Sequence, residues 1–176
     1  MALRAMSSRD LNDLTPELQA GAERLLIAAE HAGLDLLIYC TFRDMEEQAR
    51  LFRRGRSWRA IHQKIQELTN KGRPDLATLL ADVGPQHEKK IVTWAGPGES
   101  PHNYGEAWDA VPMRDGRPVW GTKEKEDRVL WYLYGELIED QGLEWGGNWI
   151  GKEDFPHAQL AGFDSNEKLK FGVSHE

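Results

Sequence analysis

Hydrophobic positions along the 176-residue chain alternate between helical and extended spacing. In TPELQAGAERLLIAAEHAG (15–33), Leu18, Ala22, Leu25, Leu26 and Ala29 recur at the interval of one helix face. Thr15 stands as N-cap, Pro16 occupies the first turn, where a missing N–H costs nothing, and Gly33 marks the stop. LDLLIYCT (34–41) predicts a short apolar strand. Asp44 opens a second helix over DMEEQARLFRRG, with Glu47 completing a capping box and Gly55 ending the helix. Arg43 therefore sits at a strand-to-helix junction, a place where side chains often face a cleft.

Residues 58–83 predict two helical arms broken at NKGRPD, a helical hairpin. KKIVTWA (89–95) predicts a strand, and GPGESPHNYG (96–105) a loop. EAWDAVPM predicts a strand that turns through RDG into RPVW as a hairpin. Thr122 is the expected cap of a helix ending at Gly142, with Val129, Leu130, Leu133, Leu137 and Ile138 facing the core. Trp131 and Tyr134 on that helix belong to the core or its border. LEWGGNWIGKEDFPHAQL (143–160) is glycine-rich and then extended, and residues 163–176 read as a polar, loosely attached tail. The pattern is that of a single α+β domain over residues 1–176, with a helical insertion at 58–90.

Composition narrows the function. At 40% hydrophobic residues the chain has enough apolar material for one well-formed core. A net charge of −7 repels phosphate backbones and anionic lipid headgroups, so nucleic-acid binding is disfavoured. No apolar run approaches the roughly 18 residues of a membrane span, and membrane insertion is not expected. The N-terminal MALRAMSSRDLNDL lacks a continuous apolar segment, so synthesis in the cytoplasm without a signal peptide is expected. Cys40, the only cysteine, lies in an apolar run and reads as a buried, inert thiol.

Candidate chemistry rests on the histidines. His31, His62, His87 and His175 fall at helix ends, in the hairpin or in the tail, where solvent exposure accounts for them. His102 and His157 differ because each comes with a carboxylate: Asp109 across a loop containing Gly105, and Asp154 three residues before His157. Two histidines and one carboxylate leave an open fourth position on a tetrahedral zinc ion, and a nearby second carboxylate can act as general base. The helical zinc motif with two histidines four apart is absent. From spacing alone, SPHNYG reads equally as a surface turn and DFPH as a proline-bounded strand start.

Ser100, His102, Gly105, Ala107 and Asp109 fit an S-x-H-x-x-G-x-A-x-D pattern, and Asp154 with His157 fits acid-x-x-His. Together with TFRDMEEQARLFRRGR, VTWAGPGESPHNYG and EWGGNW, in that order, these segments resemble the M15 zinc peptidases. That family includes D-alanyl-D-alanine carboxypeptidases and L-alanyl-D-glutamate peptidases. The resemblance implies a Hedgehog/DD-peptidase-like fold, a small antiparallel sheet flanked by helices. It implies zinc held by His102, Asp109 and His157, and Asp154 as the catalytic carboxylate. Arg43 would bind a substrate carboxylate or steady the oxyanion. Gln48 and Ser100 are candidates for substrate or supporting hydrogen bonds. Trp145 and Trp149, flanking two glycines, are candidates for a cleft wall.

HNYG, EWGGNW and Asp154 in place of a glutamate resemble the endopeptidase branch, which includes phage endolysins. The implied substrate is the peptidoglycan stem peptide, cleaved at L-alanyl-D-glutamate by a monomer that reaches the wall after release. The alternatives are a D-alanyl-D-alanine carboxypeptidase or dipeptidase of the same fold, and a catalytically silent peptidoglycan-binding module. Asp154 argues against the silent module, because a pure binder has no use for a second positioned carboxylate. The 58–90 insertion is longer than the usual link between the motifs and is expected either to line the cleft or to pad the surface.

Overall fold

The apolar runs at 35–40 and 107–114 pair as antiparallel strands β1 (Asp35–Cys40) and β2 (Ala107–Arg114), with Ile38 opposite Ala110 and Cys40 opposite Asp109. β3 (Arg117–Pro118) folds back on β2 through Asp115 and Gly116, at φ of 52° and 71°. Positive φ at both turn residues matches the twist of the flanking strands, which is why Asp-Gly is favoured there. β4 (Glu144–Trp145) and β5 (His157–Gln159) complete a sheet of order β1-β2-β5-β4, with β3 on the flank of β2. The computed structural model describes residues 7–84 and 90–171. Its helices are α1 (Pro16–His31), α2 (Met45–Arg53), α3 (Trp58–Asn70), α4 (Pro74–Asp82), α5 (Lys125–Glu139) and α6 (Ser165–Phe171). The expected α+β class, small antiparallel sheet and helical hairpin near 58–83 are all present.

The described residues divide into two compact units, one formed by 8–42 and 104–163, the other by Ser7, 43–84, 90–103 and 164–171. In the sheet-bearing unit, α1 contributes Leu18, Ala22, Leu25 and Ala29 to the core, and α5 contributes Trp131, Tyr134 and Ile138. They pack with Trp108 and Ala110 of β2, Ala158 of β5 and Trp145 of β4. Cys40 is buried, as expected, and takes part in no disulfide.

The expectation for α5 needs two corrections. Glu124, not Thr122, occupies its N-cap, and Val129 is 57% exposed. Leu130, Leu133 and Leu137 pack only at the border of the core. Two stripes on this helix are apolar, and the one carrying Trp131 and Tyr134 wins because large aromatic rings remove more surface from water than a valine does.

The second unit is built around the hairpin. Ile61 and Leu68 of α3, and Leu76, Ala77 and Leu80 of α4, form a core with Ala49 and Phe52 of α2 and Leu169 of α6. The hairpin thus supplies the core of its own unit. Arg53 of α2 is fully buried and donates through Nη1 to the Leu80 and Ala81 carbonyls, each at 2.8 Å, satisfying groups that the last turn of α4 leaves open. The polar tail is corrected in part: residues 165–171 form α6, and Leu169 is 2% exposed. Residues 172–176 lie outside the described residues.

The strand expected at 89–95 does not form over its described part, 90–95. Side chains take the place of a ladder partner: Gln48 Nε2 donates to the Ala95 carbonyl at 2.7 Å and to Thr93 Oγ1 at 3.4 Å, and Arg56 Nη2 donates to the Thr93 carbonyl at 2.6 Å.

Candidate metal centre

Alternation along the strands sorts the sheet into two faces. Directly opposed residues share a face, so the register Cys40↔Asp109↔His157 sets three potential donors in one row across β1, β2 and β5. The Cys40 sulfur lies within 4.8 Å of an Asp109 carboxylate oxygen. His157 Nδ1 is 3.1 Å from Asp109 Oδ1, with the two residues 6% and 9% exposed. Two residues along β5 on the same face, Gln159 Oε1 lies 3.0 Å from His157 Nε2. Glu144, opposite Gln159, accepts from Gln159 Nε2 at 3.1 Å through Oε2 and from Trp149 Nε1 at 2.6 Å through Oε1. The Trp149 ring stands beside His157, centroids 5.2 Å apart.

The opposite face carries the row Trp108↔Ala158↔Trp145. Trp145 is accordingly a core residue, 3% exposed, which corrects the expectation that it forms a cleft wall. Its ring fills a slot between Gly135 and Gly147, where an added Cβ would come within 2.3 Å and 2.2 Å of the indole.

Trp145 reaches the site through its N–H. Asp154, Phe155, Pro156 and His157 form a tight turn closed by the His157 N–H on the Asp154 carbonyl at 3.1 Å. The Phe155 carbonyl accepts from Trp145 Nε1 at 2.9 Å. The Pro156 carbonyl accepts from the Tyr134 hydroxyl and from the Ala110 N–H, each at 3.0 Å. Tyr134 in turn accepts from Trp108 Nε1 at 3.0 Å. Burial pushes the Tyr134 phenol well above its ordinary pKa, with Asp109 and Asp154 adding in the same direction, so it remains a donor. At the start of the turn, the Asp154 N–H donates to the Gly146 carbonyl at 2.9 Å. A Cβ on Gly146 would meet the Asp154 carbonyl oxygen at 2.6 Å, so glycine is what admits the turn. Asp154 is exposed and His157 is buried: a solvent-facing carboxylate and a sheltered imidazole stand at opposite ends of one fixed turn.

The other unit holds the remaining candidates. Arg43 donates through Nη1 to Gln48 Oε1 at 2.9 Å. Gln48 is fully buried, and its amide is used by Arg43, Ala95 and Thr93, so it orients the guanidinium. His102 lies in a short 3-10 turn, Pro101–Tyr104, is 2% exposed, and accepts the Arg43 N–H on its carbonyl at 3.0 Å. Buried Asn103 ties this loop together: its Nδ2 donates to the Arg43 carbonyl at 2.8 Å and its Oδ1 accepts the Gly98 N–H at 3.0 Å. Ser100 is buried and accepts the Asn103 N–H on its carbonyl. Among the described histidines outside the site, His31 and His62 are exposed as expected; His87 and His175 lie outside the described residues.

Gly105, which follows this loop in the sheet-bearing unit, is required twice over. Its φ is +66°, and a Cβ would stand 2.5 Å from the Asp13 carbonyl oxygen.

The donor chemistry fits zinc. A sheltered imidazole nitrogen and a carboxylate oxygen face one another across adjacent strands, both borderline-to-hard donors of the type zinc takes in catalytic sites.

A family model described as D-alanyl-D-alanine carboxypeptidase, of the M15 peptidases, matches residues 93–160. The chain is 31% identical over 153 residues to the peptidoglycan L-alanyl-D-glutamate endopeptidase CwlK of Bacillus subtilis, covering 85% of this chain and 74% of that one. It is 26% identical over 155 residues to the L-alanyl-D-glutamate peptidase of Listeria phage A118, covering 88% of this chain and 40% of that one. Among solved structures, the L-Ala D-Glu endopeptidase ChiX of Serratia marcescens is similar at a TM-score of 0.45 and 19% identity, with 88% of each chain covered. The extended match to CwlK, together with the family match over the segment that carries His102, Asp109 and His157, shows that this chain belongs to the M15 peptidase family.

Proposed function

We propose that the chain is a zinc-dependent peptidoglycan endopeptidase that hydrolyses the L-alanyl-D-glutamate bond of stem peptides and works as one peptidase domain at the cell wall. The observation that carries the reading is the buried Asp109–His157 pair at 3.1 Å with Asp154 fixed at the other end of the His157 turn. His102, Asp109 and His157 would hold the metal, as the resemblance of their motif implies. The two curated relatives, both named for the L-alanyl-D-glutamate bond, support the choice of substrate.

When bound, zinc supplies a Lewis acid that lowers the pKa of water towards about 7 and polarises a peptide carbonyl. Asp154, exposed at the turn, takes the proton of the attacking water and returns it to the leaving amine. Arg43, steered by Gln48, presents its donors to a substrate carboxylate or to the developing oxyanion. Trp149, half-buried beside His157, offers a ring face to the stem peptide.

The test is a digest of purified peptidoglycan and, separately, of a peptide ending in D-alanyl-D-alanine, with new termini identified by mass spectrometry. New N-terminal D-glutamate that disappears on EDTA treatment supports the reading. Free D-alanine from the second substrate, without cleavage of the wall, overturns it in favour of a carboxypeptidase.

A further inference from the structure

The zinc reading requires a bare nitrogen lone pair on His157, and the hydrogen-bond directions on this sheet face determine which nitrogen has it. Glu144 receives Trp149 Nε1 on one oxygen and Gln159 Nε2 on the other, at 2.6 and 3.1 Å. An ionised carboxylate only accepts, so the Gln159 amide has its NH2 towards Glu144 and its oxygen towards His157. That oxygen lies 3.0 Å from His157 Nε2 and also only accepts, so Nε2 carries the hydrogen. In the neutral ring the lone pair is then on Nδ1, which faces Asp109 Oδ1 at 3.1 Å.

This arrangement opposes what Asp109 would select by itself. A buried carboxylate beside a neutral imidazole favours the tautomer that donates to it, which would place a hydrogen on Nδ1, the nitrogen turned towards the row of donors. We propose that Gln159, anchored by Glu144, is a positioning residue that holds His157 in the Nε2–H tautomer and keeps Nδ1 open for the metal. The inference rests on the zinc reading above and adds Gln159 and Glu144 to the residues named there. Sheet alternation accounts for their placement: Gln159 is two residues from His157 on one strand, and Glu144 is its direct partner on the next.

The experiment uses metal-free protein with 15N-labelled histidine, read by two-bond proton–nitrogen correlation with the rings neutral, and zinc titrated against a chromophoric chelator. Wild type is expected to show His157 as Nε2–H. Gln159→Leu is expected to move it to Nδ1–H and to weaken zinc binding roughly 10–100-fold, the usual cost of losing a partner behind a ligating histidine. The exchange Glu144→Gln with Gln159→Glu reverses the amide and the carboxylate, keeps an acceptor on Nε2, and is expected to restore the tautomer and most of the affinity. Nδ1–H in the wild type overturns the proposal without recourse to any variant. So does an unchanged tautomer and affinity in Gln159→Leu. A wild type that shows Nε2–H and takes no zinc sinks the metal reading and leaves the hydrogen-bond assignment standing, so the two failures are distinguishable.

Discussion

The Tyr134 hydroxyl donates to the Pro156 carbonyl at 3.0 Å, one residue before His157, while accepting the Trp108 N–H at the same distance. One fully buried phenol therefore ties the core of the sheet-bearing unit to the turn that presents the candidate chemistry. Tyr134→Phe deletes both bonds, leaves the Trp108 N–H buried without its acceptor, and should destabilise the protein by about 1–3 kcal/mol in urea unfolding.

The same residue gives a signed pH dependence. Burial raises the Tyr134 pKa in the folded state, so its contribution is complete below the unfolded value of about 10 and is lost as pH rises beyond it. The stability gap between wild type and Tyr134→Phe should narrow from about pH 9.5 to 11. A gap constant across that range would contradict the assignment.

Gly135 and Gly147 hold the Trp145 indole between them. Gly135→Ala drives a methyl into the ring and should cost about 1–3 kcal/mol or more, as overpacking does. Trp145→Phe, with a smaller ring, should recover part of that loss in the double variant, read from thermal midpoints as a double-mutant cycle.

Gln48→Leu removes the acceptor that holds Arg43 Nη1. We expect kcat/KM on a stem peptide to fall about 10–100-fold, the range of a hydrogen bond to a charged group, with zinc affinity unchanged. Gln48→Glu, which keeps an acceptor, should retain most of the activity; equal losses in both variants would count against a positioning role.

Asp154→Asn keeps the volume and the turn but removes the carboxylate proposed as proton acceptor. Activity should drop about 10²–10⁴-fold while zinc content measured by atomic spectroscopy stays at the wild-type level. Loss of the metal in this variant would move Asp154 from base to ligand.

Much of this was legible because it is local. Asp44 caps α2 through the Glu47 N–H at 2.7 Å, and Asp115-Gly116 turns the hairpin, both decided by residues within a few positions. His102, Asp109, Asp154 and His157 were legible only as a motif. The misses are long-range. Residues 90–95 carry a strand-like composition, yet their backbone bonds go to Gln48 and Arg56, some forty positions away. Val129 and Trp131 lie on different apolar stripes of one helix, and the Trp145 and Phe155 rings that pack on the stripe of Trp131 belong to another part of the chain. Gln159 and Glu144 gain meaning only once β4 and β5 are in register.

The hydrogen-bond chain along the polar face has a further consequence, in the traffic of protons. Trp149 and Gln159 both donate to Glu144, so the donors converge and the chain runs out at the carboxylate. Between His157 and that carboxylate stands an amide, which neither gives up nor takes on a proton near neutral pH. The face therefore clamps His157 without forming a wire, and no acid or base equivalent reaches the imidazole from that side. On the proposed mechanism, a proton drawn from water would be lodged on Asp154 and exchange there with bulk solvent, at the end of the turn that is exposed.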